Sequence, residues 1–385
     1  MQLFEALTLS KARYATVLKA QLRRLDEFQV DCLRQALKNM SHLLRDSIDL
    51  VEQIERVRIS EESRMIKIDV KDFFMSGVHA DLVLKSAKHV HGKLKTAFVK
   101  AMEFVLKNQF VELSSEDLEV YKVELGSGMG VECSGDTSDI AFYELAEKDF
   151  ALNPEVRNKY DVQFYARFRD DILVILGCGY ELRVEFCQLF KQRCSYFKVL
   201  FESINRNSAV MLDLRLEKGK RFDKTSILDI SMHIKDTSQG MPLSFFSEHL
   251  PSIHNNWPIS RCMHYERCCS DRSSFKAAVH RLFCKIVSAD PGHPALGLVA
   301  ESYLAGQAVR HGSGNGKRRG ASTRIILPYH KSLSRVNHLL RDVVQDFVSL
   351  DFPNFAPIVT WSLGRPSIMK KLLMDSRTKL SARVE

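Results

Sequence analysis

Three aspartates in this sequence stand where they could hold metal ions. Asp170 and Asp171 form the only Asp-Asp pair of the chain and lie between an arginine and a run of Ile, Leu and Val, in YARFRDDILVIL. Adjacent carboxylates repel each other, and an apolar strand ordinarily excludes them. Asp69 stands at the end of the alternating stretch MIKIDV. An acid pair at a hairpin tip and a single acid near a strand end both require a compensating charge.

Two-metal phosphoryl transfer is the chemistry that fits these acids. If the two stretches form neighbouring strands of one antiparallel sheet, the three carboxylates converge. Two Mg²⁺ ions about 3.5–4 Å apart would compensate their charge and stabilise the attacking and leaving oxygens of a displacement at phosphorus. Magnesium prefers hard oxygen ligands and substrate phosphates, and manganese can substitute for it. We therefore expect a two-Mg²⁺ site.

Alternating apolar residues predict the strands that must position these acids. Residues 65–70 read as one strand, and the stretches 161–168 and 172–176 read as two strands joined at the Asp-Asp tip. Further strands are expected at 196–203, 208–217 and 226–234.

Helical periodicity covers most of the remaining chain. Helices are predicted over residues 1–62, 80–106, 134–150, 181–197, 275–290, 295–306 and 331–350. Ser134 or Asp136 would provide the N-cap of the helix that follows the glycine turn GSGMG. The fold class expected from these elements is α+β, with an antiparallel sheet and packed helices followed by a helical region.

Composition limits the class of protein. The apolar fraction of 45% and the charged fraction of 27% are ordinary for a globular protein. No apolar run approaches the roughly 18 residues of a membrane span, and the N-terminus lacks the apolar core of a secretory signal. We expect an intracellular protein that does not contact a membrane. The net charge of +9 suggests a polyanionic partner.

The nine cysteines favour free thiols in a reducing compartment, because they are scattered and odd in number. One cluster, Cys262, His264, Cys268 and Cys269, has some of the residue types of a zinc site. A second Cys-x-x-Cys pair is missing, so zinc is not expected.

The order of the motifs resembles the palm of a reverse transcriptase. Asp69–Phe74 resembles the first palm motif, and Leu125–Gly130 with Ser134-Gly135 resembles the second. Phe168–Asp171 resembles the third, with Phe168 in place of the usual tyrosine. An Asp-Asp pair alone is more often a solvated turn, and a glycine motif alone is unspecific. The order and spacing of all three motifs favour a polymerase.

The resemblance implies roles for particular residues. The metal ligands would be Asp69, Val70, Asp170 and Asp171, with the three acids also catalytic. The nucleotide-binding residues would be Phe73, Phe74, Gly126, Ser127, Gly128, Met129 and Gly130. Phe74 matches the bulky residue that excludes a ribose 2′-hydroxyl, which favours DNA synthesis. Nucleic-acid contacts are expected at Phe168, Arg169, Lys235, His249, Arg261 and Arg267. Lys198 and Lys235 are candidates for the proton donor to pyrophosphate.

Within reverse transcriptases the sequence is similar to those of Penelope-like retroelements, which are related to telomerase. The matching residues are Arg45-Asp46-Ser47, Met211–Leu214, Ser247–His249, Pro258, Arg261, Arg267 and the tail stretch LPYHKSLSRVNHLLRDVV. This implies an RNA template, a DNA primer or RNA–DNA hybrid, deoxynucleoside triphosphates and a nuclear or cytoplasmic location, with the nucleus favoured.

The resemblance also implies a domain order. The predicted segments are a helical lead-in or reduced fingers (1–62), a palm (63–246), a thumb (247–310), a basic glycine-rich loop (311–323) and a C-terminal helical region (324–385).

Two departures from the family pattern leave alternatives open. Val123 stands where the family usually has a glutamine, and only some sixty residues, without an arginine-proline segment, precede Asp69. The main alternative is therefore a catalytically inactive nucleic-acid-binding remnant. A further alternative is an RNA-dependent RNA polymerase, although such enzymes usually present Gly-Asp-Asp.

Overall fold

The computed structural model describes residues 27–112, 120–128, 131–194, 196–234, 243, 247–249, 251–290, 292–309, 324–328 and 358–362. The backbone divides into two units, Met1–Lys235 and Asp236–Glu385. The three predicted acids all belong to the first unit.

The elements of the first unit begin with helices and one strand. In chain order they are α1 (27–37), α2 (Ser47–Ile54), β1 (Arg64–Lys71), α3 (His79–Ala87), α4 (Leu94–Lys107), β2 (Phe110–Glu112) and β3 (Val120–Lys122). There follow α5 (Ser134–Phe142), which continues as a π-helix (Tyr143–Ala151), α6 (Pro154–Lys159), β4 (Val162–Phe168), β5 (Asp171–Leu176), α7 (Tyr180–Arg193) and β6 (Lys198–Asn205). The last are β7 (Ser208–Met211), β8 (Leu214–Glu217), α8 (Phe222–Thr225) and β9 (Asp229–Met232).

The central sheet has the strand order β4-β5-β1-β6, and all its pairings are antiparallel. This confirms the predicted strands at 65–70, 161–168 and 172–176 and the hairpin that joins the last two. A separate three-stranded sheet contains β7, β8 and β9. Strand β1 is buried along almost its whole length, so both faces of the central sheet are covered there.

Alternation along β1 and β5 separates two environments. On one face, Ile66, Ile68 and Val70 of β1 join Ile172 and Val174 of β5 in the main apolar core, together with residues of α4, α5 and α7. The alternate residues of both strands therefore face the other side of the sheet. That side carries the acids, because Asp69 follows Ile68 and Asp171 precedes Ile172.

Two predicted helices and one predicted strand are interrupted in the structure. The expected helix over 1–62 is correct at 27–37 and 47–54 but wrong at residues 38–46, which leave the helix and where Leu43 bridges to Arg167 of β4. The expected helix over 80–106 breaks at residues 88–93, where Gly92 has a φ of 68°. The strand over 208–217 is divided at Leu212, whose φ is 58°.

The predicted N-cap of α5 is also wrong. Cys133 precedes the first helical residue and makes no side-chain capping bond. The Ser134 hydroxyl instead donates to the carbonyl of Ser127, and the Asp136 carboxylate accepts from Arg169.

The second unit contains helices α9 (Pro251–Cys268), α10 (Arg272–Ala289) and α11 (Ala295–Ala305) and strands β10 (Arg324–Pro328) and β11 (Ile358–Ser362). The helices confirm those predicted at 275–290 and 295–306. The two strands pair in parallel, so the expectation of helix throughout 324–385 is wrong at both. The predicted helix 331–350 lies outside the described residues. None of the described helices has the length and apolar character needed to cross a membrane.

Candidate active site

Strand pairing brings the three predicted acids together. Asp69 of β1 is the direct antiparallel partner of Asp171 of β5, so their side chains leave the same face of the sheet. The Val70 amide donates to the carbonyl of Asp170 at 2.9 Å, which ties the hairpin tip to β1. The prediction that the acids converge is therefore confirmed at the level of strand register.

The hairpin tip that carries Asp170 is a turn of two residues. Phe168 pairs with Asp171, which leaves Arg169 and Asp170 as the turn. Arg169 has a φ of 54°. That left-handed conformation costs a residue other than glycine roughly 1–2 kcal/mol, so neighbouring contacts must hold it.

Electrostatics at this end of the sheet disfavour the ionised form of Asp170. Burial raises the pKa of Asp170, and the like charges of Asp171 and Asp69 raise it further. Asp69 is 9% exposed, and its Oδ2 atom has no well-formed hydrogen bond. A positive charge placed among these carboxylates would stabilise their ionised form.

Two lysines provide part of that charge. Lys67 Nζ lies 2.5 Å from Asp171 Oδ1, and Lys71 Nζ lies 2.6 Å from Asp69 Oδ2. The proximity and charge of Asp69 raise the pKa of Lys71. Lys67 is buried, whereas the side chain of Lys71 is half exposed. Sequence reasoning missed both lysines, although each stands two residues from Asp69 and alternation places all three on one face.

The acids open into a cleft of about 860 Å³. Its lining includes further residues from β6, from the β7–β8 turn and from β8: Glu202, Ser203, Asn205, Leu212, Asp213 and Arg215. The Ser47 hydroxyl at the start of α2 donates to Asp213. This gives a structural role to two short stretches that carried the family resemblance.

The donor set of this cleft fits magnesium by its chemistry. Three carboxylates meet at one edge, one buried oxygen lacks a good hydrogen bond, and hard oxygen donors are the ligands that Mg²⁺ prefers. In the part of the chain that the structure describes, no three acidic, histidine or cysteine side chains are already arranged around one point. Asp69 and Asp171 would have to exchange their lysines for metal.

The glycine turn is held by bonds within the protein. The amides of Gly126, Ser127 and Gly128 donate to Gly77 O (2.7 Å), Phe74 O (2.6 Å) and Gln109 Oε1 (2.6 Å), in that order. Because these three donors are occupied, residues 126–128 can offer a substrate a close backbone surface but no free amides for phosphate. Met129 and Gly130, also predicted to contact nucleotide, lie outside the described residues.

Gly126 is required by its surroundings. It has a φ of 69°, and a Cβ at this position would lie 2.4 Å from Met75 Cα. The glycine turn thus packs directly against the turn that holds the two predicted nucleotide-binding aromatics. Phe73 is buried in the core, and Phe74 is half buried with its ring edge-on to Phe73 at 5.5 Å.

Two predicted nucleic-acid contacts lie at the hairpin, and they differ in their surroundings. Phe168 lines the cleft. Arg169 is directed toward α5, where it pairs with Asp136 and Asp139, so it is not a free surface cation.

The other predicted nucleic-acid contacts are dispersed. In the second unit, His249 bonds Ser247 at 2.9 Å, while Arg261 and Arg267 are exposed on α9. Lys235 lies outside the described residues. Lys198, the other candidate proton donor, is exposed on β6 beside Lys71.

A buried charge cluster behind the hairpin was also missed by sequence reasoning. Arg167 of β4 is fully buried and donates to Glu147 (2.8 and 2.9 Å) and Asp139 (2.6 Å). His42 Nε2 lies 3.0 Å from Glu147, and the Tyr165 hydroxyl donates to Glu147 at 2.7 Å. No sequence signal links these residues, because up to 105 positions separate the partners.

The charges of that cluster stabilise one another. Burial alone would raise the pKa of Glu147, but Arg167 and His42 hold it well below its usual range. Burial alone would lower the pKa of Arg167, but Glu147 and Asp139 raise it. Both side chains therefore stay charged at neutral pH.

Comparison with known proteins identifies the fold. No protein-family profile and no curated protein matches the sequence. Telomerase from Candida albicans, solved in complex with a TWJ fragment of telomeric RNA, superposes with a TM-score of 0.50 at 13% identity, over 73% of this chain and 50% of that one. The chain has a reverse-transcriptase-like polymerase fold. Its sheet of β1, β4, β5 and β6 is the palm sheet, and the predicted fold class is confirmed.

Two further structures match at lower similarity. They are apo telomerase from Candida tropicalis (TM-score 0.43, 14% identity, 73% of this chain and 51% of that one) and the RNA-dependent RNA polymerase of a human picobirnavirus (0.40, 11%, 76% and 52%). The chain spans about half the length of these structures.

Proposed function

We propose that this protein is an RNA-directed DNA polymerase of a retroelement, of the Penelope-like kind. The observation that carries the proposal is the direct pairing of Asp69 with Asp171, beside Asp170, at the open end of a reverse-transcriptase-like palm sheet. The reaction would join the α-phosphate of a deoxynucleoside triphosphate to the 3′-hydroxyl of a primer and release pyrophosphate.

The acids would hold two Mg²⁺ ions, with Mn²⁺ as a substitute. Bound there, the ions would supply charge stabilisation to the attacking and leaving oxygens. The protein's own residues prepare the site: the Val70 amide fixes the carbonyl of Asp170, and Lys67 pairs with Asp171, a carboxylate that would hold metal. The pKa of Asp170 is raised, so a neighbouring cation would favour its ionised form.

The choice of DNA synthesis over RNA synthesis depends on Phe74. Its carbonyl accepts from Ser127, and Gly126 packs on the adjoining Met75, so the backbone under the ring is fixed from two sides. A rigidly placed aromatic ring can exclude a 2′-hydroxyl by steric clash. A ribonucleotide preference in the wild type would instead favour the RNA-dependent RNA polymerase alternative.

The proposed partners are an RNA template, a DNA primer or hybrid duplex, and deoxynucleoside triphosphates. The net charge of +9 supports a polyanionic partner. The nuclear location is part of the same proposal.

A second candidate function is nucleic-acid binding without catalysis. It is favoured by one observation, that Asp69 and Asp171 are each already neutralised by a lysine. If those ion pairs persisted with substrate bound, the acids would hold no metal.

Primer extension separates the two candidates. Wild type, Asp170→Asn and the control Asp223→Asn would be given poly(rA)·oligo(dT), dTTP and Mg²⁺. Asp223 is an exposed acid of α8 and is not among the residues that line the cleft. Extension by wild type and control but not by Asp170→Asn supports the polymerase. Binding of the primer–template by all three without any extension would leave the second candidate.

A further inference from the structure

The arginine beside the paired acids makes an unusual set of contacts. Arg169 occupies the left-handed position of the two-residue turn. Its Nη1 donates to Asp139, and its Nη2 lies 3.3 Å from Asp136. Both acids belong to α5, the helix that follows the glycine turn. The contact therefore links the hairpin of the third motif to the helix of the second.

Gly135 makes this contact sterically feasible. A Cβ at position 135 would lie 2.7 Å from both Cζ and Nη1 of Arg169. The guanidinium thus lies directly against the backbone of α5, where every other residue type would displace it. Glycine inside a helix is otherwise unfavourable, which indicates that the close approach has a local purpose.

Asp139 anchors the contact to the rigid interior. It is 5% exposed and accepts from both Arg167 and Arg169. Arg167 also donates from Nη1 to the carbonyl of Arg169 at 3.1 Å, so the turn is held through its main chain as well. Asp136 contributes less, because burial and the charge of Asp139 raise its pKa against the influence of Arg169.

We propose that Gly135, Asp136, Asp139 and Arg169 form a clasp that positions the acid turn. The clasp holds Arg169 in its left-handed conformation and so fixes where Asp170 and Asp171 emerge from the sheet. Its four members are positioning residues, since they act through the turn and not on substrate. The catalytic consequence rests on the proposed polymerase function, but the mechanical consequence does not.

Hydrogen exchange tests the mechanical claim without any activity. The reporter is the Val70 amide, which bonds Asp170, together with the amides of residues 165–176. Gly135→Ala should leave the fold intact and strengthen the helix, because only the far end of the Arg169 side chain must move. Arg169→Met removes the guanidinium itself.

Arg206→Met is the matched control. Arg206 is 40% exposed, as against 36% for Arg169, and also faces two acids, Glu61 and Glu62. It lies beyond the far end of β1 from Asp69, because Met65 pairs with the neighbouring Asn205.

We expect Gly135→Ala and Arg169→Met to speed exchange at the reporter amides by about tenfold, with α7 unchanged and Arg206→Met like wild type. Equal exchange in all four proteins would overturn the clasp, as would acceleration spread evenly over the first unit.

Steady-state extension assays then test the catalytic consequence. Both clasp variants should show a lower kcat and a higher Mg²⁺ requirement, each by about tenfold or more, with the primer–template KM unchanged. A rise in KM alone would contradict positioning. If wild type does not extend a primer at all, the proposed function fails while the exchange data still decide the clasp.

Discussion

Two regions of the palm contain clusters of charged residues, and the charges are compensated within the protein in one region but only in part in the other. In the buried cluster of His42, Asp139, Glu147 and Arg167, each charge meets opposite charge or hydrogen-bond donors inside the protein. At the acid end of the sheet, three carboxylates meet around a cleft and two lysines offset them only in part.

The pKa shifts express the same contrast. Glu147 is fully buried yet its pKa is lowered, whereas Asp170 is more exposed and its pKa is raised. The cluster is thus electrostatically complete without a ligand, while the acid end is not. Completeness is typical of a structural role, and residual like charge at a cleft is typical of a functional one.

The largest expected effect is on catalysis at the acid end. Asp69→Asn removes a carboxylate at the cleft, so we expect primer extension to fall by roughly a thousandfold or more. Its ion pair with Lys71 is partly solvated, so the free energy of unfolding should change only slightly. Extension rates test the effect on catalysis, and urea denaturation tests the effect on the free energy of unfolding. A large loss of stability in this variant would contradict the proposal that Asp69, unlike the buried cluster, has little structural role.

The buried cluster should show the reverse pattern. Arg167→Met removes the buried guanidinium that pairs with Glu147, so we expect a loss of about 3–5 kcal/mol in the free energy of unfolding. Adding Glu147→Met should restore part of that loss. Arg183→Met, which removes a single bond to a carbonyl, is the control. A loss below about 1 kcal/mol for Arg167→Met would show that the cluster is not structural.

The sugar selectivity should change without loss of fold. Phe74→Ala removes the ring proposed to exclude a ribose 2′-hydroxyl, so the preference for dTTP over UTP should fall by roughly 10- to 200-fold. Competition assays with both nucleotides measure it, with Phe110→Ala as a control at an exposed phenylalanine. Unchanged selectivity in Phe74→Ala would place the discrimination elsewhere.

The pH dependence of stability should have opposite signs in the two regions. The raised pKa of Asp170 means that protonation favours the folded state, so wild type should gain stability relative to Asp170→Asn as pH falls from 7 toward 4. The lowered pKa of Glu147 gives stability that is present above its ordinary pKa and lost only as pH falls well below it. Urea denaturation at pH 7, pH 4.5 and pH 3 compares wild type, Asp170→Asn and Glu147→Gln. If the stability difference from wild type changed with pH in the same direction for both variants, the two regions would not differ in their electrostatics.

The acid end could be predicted from sequence because its signals are local. The alternation of apolar residues predicted the strands β1 and β5, and the Asp-Asp pair predicted the tip of the hairpin. Lys67 could have been found by the same alternation, but its contact with Asp171 required the register.

The buried cluster could not be predicted in the same way. His42 reaches β4 only because the chain leaves its helix at residues 38–46, and Glu147 lies in a π-helix. Both features depend on tertiary packing and override the helical periodicity that the sequence displays. The clasp at Arg169 depends on a contact with Gly135 that the spacing of residues in the sequence does not predict.

The most direct test of the central claim is whether the acid end takes up divalent metal and the buried cluster does not. Isothermal calorimetry would titrate Mn²⁺ into wild type, Asp170→Asn and Glu147→Gln, with the fold of each verified by circular dichroism. We predict binding to wild type and to any Glu147→Gln that remains folded, and its loss in Asp170→Asn. No binding to folded wild type, or equal binding to wild type and Asp170→Asn, would contradict the account.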